Sequence, residues 1–121
     1  MKITIPDKKL KKLCEEPSVA QKKLGAKAAE KLKSRLADLS AAQAVTELVA
    51  GRPHPVQPNK LGKSFYQKFY NFEHLFALDL NGGLRLVFQA DVEPLPLKAD
   101  ESLDWSKVNQ ICIVFVGDYH D

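Results

Sequence analysis

Two apolar segments, residues 75–80 and 84–89, flank Asn81-Gly82-Gly83, and this pairing narrows the folding options more than any other feature of the chain. Asparagine and glycine reach the positive φ values that a tight antiparallel connection demands, so the spacing predicts a β-hairpin. In the second strand Leu84, Leu86 and Phe88 alternate with Arg85, Val87 and Gln89. Side chains alternate between faces along a strand, so Arg85 is expected to point away from the larger hydrophobes. One face of the hairpin must then be covered by something else in the chain.

The cover is legible upstream. Residues 19–39 set Leu24, Ala28, Leu32, Leu36 and Leu39 on one stripe of a single long helix. Gly25 lies inside this stripe and is expected to weaken the helix by ~1 kcal/mol without interrupting it. A shorter helix is predicted over residues 8–16, capped by Asp7, with Leu10 and Leu13 on one side. Pro17 ends it, and Ser18 is placed to cap the next. Ile3 and Ile5 alternate with polar neighbours ahead of Pro6, which suits a short first strand.

Beyond the helices, residues 41–50 read as a short amphipathic turn or a kinked extension. Gly51, Pro53, Pro55, Pro58 and Gly62 mark residues 51–63 as a loop. Phe65, Tyr66, Phe69, Tyr70 and Phe72 follow, at a spacing that fits either a strand or a helical turn. Residues 90–107 hold Pro94, Pro96 and five acids and read as a surface loop. Residues 110–116 form a near-continuous apolar run, as expected of a strand buried on both faces. The expected fold class is α+β: a small, mostly antiparallel sheet with two N-terminal helices packed on one face, leaving the other open for ligand.

A length of 121 residues bounds this to a single domain, residues 1–121. No apolar run approaches the roughly 18–20 residues of a membrane span, and the N-terminus has no signal-peptide apolar region, so a cytoplasmic location and no membrane partner are expected. Cys14 and Cys112 lie far apart and are expected to be free, buried thiols. Charge is unevenly divided: residues 1–63 carry 14 Lys/Arg and 6 Asp/Glu, whereas residues 64–121 carry 4 and 9. A basic half suits an anionic partner such as RNA, and equally the solvated side of helices.

None of the three histidines is paired at a metal-motif spacing, and no glycine-rich phosphate loop, nucleophile elbow or paired-cysteine motif occurs. No metal and no cofactor are expected. What remains is general acid–base chemistry on a nucleic acid, or binding alone. Cleaving RNA without a metal needs a base for the 2′-OH, a cation for the phosphate and an acid for the leaving oxygen. His54, Asp118 and His120 can move protons, Arg85 can clamp a phosphate with its forked guanidinium, and Tyr119 can stack on a base.

The ending Val114-Phe115-Val116-Gly117-Asp118-Tyr119-His120 resembles the C-terminus of HigB-type host-killing toxins of the RelE/ParE superfamily. His54-Pro55 after the helices, and an arginine in the second hairpin strand at Leu84-Arg85-Leu86-Val87-Phe88, resemble that family too. The resemblance implies a RelE-like fold and the toxin of a type II toxin–antitoxin system: a ribosome-dependent mRNA endonuclease, or mRNA interferase, serving functions such as plasmid maintenance. It implies an active site of His54, Arg85, Asp118, Tyr119 and His120, with Lys60 and Lys63 as loop contacts to RNA. Lys22 and Lys23, on the basic helical side, are further candidates for RNA binding. The implied partners are a HigA-like antitoxin, the ribosomal A site and mRNA. Three features depart from the family pattern: the aromatic-rich stretch 63–72, Leu84 where tryptophan is frequent, and the acidic segment 91–104. Two other readings share these residues: a ParE-like toxin that inhibits DNA gyrase by binding, and a non-catalytic nucleic-acid-binding module.

Overall fold

The computed structural model describes residues 1–56, 62–63 and 74–118. Along the chain these form β1 (Lys2–Thr4), α1 (Lys8–Glu15), α2 (Pro17–Leu24), α3 (Ala26–Ala41), β2 (His54–Pro55), β3 (Leu75–Asp79), β4 (Arg85–Ala90) and β5 (Gln110–Gly117). Short 3-10 turns occupy Val45–Glu47 and Trp105–Lys107. The architecture is α+β, with helices packed against a five-stranded sheet of order β1-β5-β4-β3-β2.

The hairpin forms where the alternation places it. β3 and β4 pair antiparallel, with Phe76 opposite Phe88, Leu78 opposite Leu86 and Asp79 opposite Arg85. Leu80 and Leu84 close the connection through a Leu80 N–H to Leu84 carbonyl bond of 3.0 Å, and Gly82 takes φ 60. The sheet is mostly antiparallel, as expected, with one parallel pair: β1 runs parallel to β5, Ile3 opposite Ile111. A parallel pair needs a long crossover, and here all three helices and the hairpin lie between the two strands.

Asp7 caps α1 as expected, its carboxylate accepting from the Leu10 N–H at 2.9 Å. Two details of the helices differ from expectation. Pro17 opens α2 instead of preceding it, so Ser18 lies inside the helix and is not its cap. Proline is tolerated there because the first helical N–H needs no intrahelical partner. Gly25 divides the long helix in two, at φ 89 and ψ 162. Its N–H closes α2 on the Gln21 carbonyl and its own carbonyl accepts from Ala29 to open α3. The apolar stripe survives the break: Ala28, Leu32 and Leu39 are buried and Leu24 and Leu36 are half-buried against the same core. The helical layer thus contains three helices where two were expected.

That core lies between the helices and one face of the sheet. Leu32 and Leu39 from α3 meet Phe76, Leu78, Leu86, Phe88, Ile111 and Ile113. Each such fully buried side chain contributes about 1.5–3 kcal/mol. The acidic segment before β5 is fastened at its end by buried Leu103 and Val108, and Trp105 packs on Phe76 with ring centroids 4.8 Å apart.

The opposite face departs from expectation. Leu75, Ala77 and Val87 are buried there too, with Val56, Val114 and Phe115 packed against them, so the middle of this face is not open for ligand. β5 is also less enclosed than its apolar composition predicts. Only Ile111 and Ile113 are fully buried, both facing the helices, and the other residues of the strand are partly exposed. A register shift between Val87 and Phe88 accompanies its passage beside β4. Among the described residues no helix is long and apolar enough to cross a membrane.

Candidate functional site

Two adjoining rows of residues cross the sheet on the face away from the helices. His54, Ala77, Val87 and Phe115 make one row, and Asp79, Arg85 and Gly117 make the next. Strands lie about 4.8 Å apart and same-face residues about 6.8 Å apart along a strand. The His54 and Arg85 backbones are therefore roughly 12 Å apart. Asp118 follows Gly117 directly, at the end of the row that holds Arg85, and His54 stands one row in.

His54 lies in β2, a two-residue edge strand where a plain loop was expected. Its Nδ1 is 2.6 Å from the Arg52 carbonyl oxygen. A carbonyl only accepts, so Nδ1 carries the proton, and in the neutral ring the basic lone pair sits on Nε2. The imidazole is half-buried.

Arg85 is held on several sides. Its Nε is 2.7 Å from Asp79 Oδ1, an ion pair whose angle falls short of hydrogen-bond alignment. Its Nη1 donates to the carbonyls of Gly82 at 3.1 Å and Leu84 at 3.0 Å. Only 12% of the side chain is exposed.

Arg52 joins the same carboxylate from the other side, its Nε donating to Asp79 Oδ2 at 2.8 Å. Arg52 is 69% exposed and takes φ 48. The preceding Gly51 takes φ 86 and accepts a 2.6 Å bond from the Asp79 N–H. A Cβ at Gly51 would stand 3.0 Å from Arg35 Cδ and 3.1 Å from the Asp79 carbonyl, so this close approach needs glycine. Arg35 comes from α3, which ties the helical layer to the site.

Asp118 is exposed, and its carboxylate lies over the hairpin turn: a Cβ at Gly83 would be 2.6 Å from Asp118 Oδ2. Gly117 is crowded by its own strand, where a Cβ would be 2.7 Å from Phe115 Cζ. The end of β5 thus brings Asp118 close to the hairpin turn.

The other expected site residues are placed elsewhere or lie outside the described residues. Lys22 and Lys23 are exposed in the last turn of α2, in the helical layer across the sheet from His54 and Arg85. Lys63 is exposed. Lys60, Tyr119, His120 and the aromatic segment 65–72 lie outside the described residues. His74 (φ 58) borders a hollow of about 640 Å³ with Gln89, Asp91, Glu93 and Gln110, at the far end of the hairpin from Arg85. Among the described residues no three His, Cys, Asp or Glu side chains are grouped as a metal site would require.

Arg52 and Asp79 were missed from sequence. A signal for Asp79 existed: a three-residue connection at Asn81–Gly83 places it opposite Arg85, an oppositely charged cross-strand pair. Arg52 gave no comparable signal, because its partner is 27 residues away. The chain matches no family model, no curated protein and no solved structure.

Proposed function

We propose that the chain is the toxin of a type II toxin–antitoxin system, a ribosome-dependent mRNA endonuclease of the HigB kind acting by acid–base cleavage of RNA. The observation that carries this reading is that His54 and Arg85 stand in adjoining rows of the sheet face opposite the helices, with Asp118 following the Arg85 row over the hairpin turn.

The chemistry assigned to each group follows from its setting. His54, with Nδ1 fixed on the Arg52 carbonyl, offers Nε2 to take a proton from a 2′-OH. The arginines around Asp79 supply positive charge where the scissile phosphate gains negative charge. Asp118, with Tyr119 and His120 next in the chain, is assigned to orienting the RNA and protonating the leaving oxygen. Lys60 and Lys63, which follow His54 in the chain, are assigned to the RNA backbone. Lys22 and Lys23 are assigned to more distant phosphates of the same assembly, and such contacts weaken with salt. The partners in this reading are the ribosomal A site with its mRNA, and a HigA-like antitoxin.

The test is induced expression in a bacterial host of the wild type and a His54→Ala/His120→Ala variant, following growth and mRNA 5′ ends together. Arrest with new cuts inside translated messages, both lost in the variant, is the expected result. Arrest without cuts would favour gyrase inhibition. Soluble protein without arrest, binding nucleic acid in a strongly salt-dependent way, would favour a non-catalytic binding module.

A further inference from the structure

We infer that Arg35 of α3 is a positioning residue for His54, acting through the backbone turn at Gly51. This assignment rests on the nuclease reading above and adds to it a residue of the helical layer.

Arg35 occupies a place where the helical pattern calls for an apolar side chain. It stands three residues after Leu32 and four before Leu39, on the stripe by which α3 faces the core. Only 11% of its side chain is exposed. Its Nε lies 3.6 Å from Asp38 Oδ2, too long for a hydrogen bond, and the Asp38 side chain is 46% exposed. Among the described residues this Nε is buried with no hydrogen-bond partner. A charge is costly to bury unless it is both paired and hydrogen-bonded. Methionine would fill the same space without that cost, so stability alone does not account for an arginine here.

Its contacts do account for it. The Arg35 stem and guanidinium lie against Gly51, where a Cβ would stand 3.0 Å from Cδ and 3.5 Å from Nη1. The same glycine is held by β3: its carbonyl accepts the Asp79 N–H at 2.6 Å, and its Cβ position is 3.1 Å from the Asp79 carbonyl. The turn is thus wedged between α3 and β3. From Gly51 to His54 the chain has little freedom. Arg52 takes φ 48, the pyrrolidine ring fixes φ at Pro53, and the Arg52 carbonyl holds His54 Nδ1 at 2.6 Å. β2, which carries His54, is a two-residue strand at the sheet edge, so its pairing with β3 fixes little by itself. The rigid, planar guanidinium sets the depth of Gly51 and, through Pro53, the reach of the imidazole toward a 2′-OH. A methionine side chain turns about three bonds and would let the turn settle.

The experiment is single-turnover mRNA cleavage on mRNA-programmed ribosomes over a range of full-length protein concentrations. Thermal midpoints and amide exchange are measured alongside. Arg35→Met is expected to lower the maximal rate about 10- to 100-fold, the scale of a misplaced reacting group, with the half-saturating concentration unchanged. Its thermal midpoint should stay level or rise, because a poorly compensated buried charge is gone. The Asp79 amide, which donates to Gly51, should exchange faster than in the wild type while that of Leu86 in mid-sheet does not change. Arg35→Lys should recover part of the rate. A residue that only supports the fold would lower rate and midpoint together, and that outcome would overturn the assignment. So would a wild-type rate in Arg35→Met, or unchanged exchange at Asp79. A wild type that cuts no message on the ribosome would overturn the nuclease reading and this assignment with it.

Discussion

Arg85 Nε and Asp79 Oδ1 lie 2.7 Å apart across the first residue pair of the β3–β4 hairpin, and this contact sets the electrostatic frame of the site. The pair is mostly shielded on the Arg85 side, whereas the Arg52 contact with the same carboxylate is exposed and should add little stability on its own. Truncating Arg85 to alanine removes a largely buried charge and the bonds it donates to two hairpin carbonyls. A loss of about 1–3 kcal/mol in urea unfolding is expected. A double-mutant cycle with Asp79→Ala should show coupling above about 0.5 kcal/mol, and additivity would mean that the contact contributes nothing.

Gly25 gives a prediction of sign. In a continuous helix, replacing it with alanine would stabilise the protein by roughly 1 kcal/mol. With φ at 89 and no atoms within 4 Å of an added Cβ, alanine would meet open space but a strained backbone. Gly25→Ala should therefore destabilise by about 1 kcal/mol. A raised urea midpoint would mean that α2 and α3 are one helix in solution.

At Gly117 the obstacle is contact. An alanine Cβ would approach Phe115 Cζ to 2.7 Å, so the ring must swing away or the end of β5 must shift. Gly117→Ala is expected to cost about 1–3 kcal/mol and to move Asp118 off the hairpin turn. Amide exchange at residues 115–118 should quicken relative to Ile111 and Ile113, and unchanged protection there would contradict the crowding.

Cys14 carries the pH prediction. Burial, with Glu15 adding to it, pushes the thiol from 9.0 to about 11. The folded state holds this proton more tightly than the unfolded chain. The stability it contributes is complete below 9.0 and is lost as pH rises through about 11. At about pH 8 the thiolate fraction is ~100-fold below that of an ordinary cysteine. Iodoacetamide should label Cys14 correspondingly more slowly in the native protein than in urea, and equal rates would contradict the burial.

Local chemistry was readable from the chain itself. Asn81-Gly82-Gly83 allows few other connections, Asp7 caps the nearest N–H groups, and the alternation around Arg85 turns it off the core face. The leucine stripe identified the buried face of α3, since burial depends on residue spacing that survives even a break in the helix. The grouping of His54 with Arg85 and Asp118 came from the sequence resemblance and not from spacing.

What the tertiary structure decided is everything set by contacts between distant segments. Gly25 breaks the helix because α2 and α3 each pack on the core, and glycine adopts the required φ at little cost. β1 joins the sheet in parallel through a pairing 108 residues long in sequence, Ile3 with Ile111, for which strand alternation gives no direction. The covered second face and the Arg52–Asp79–Arg85 cluster arise in the same way. Propensity and periodicity act over a few residues, whereas these features come from packing and charge pairing between elements that meet only once the sheet has assembled.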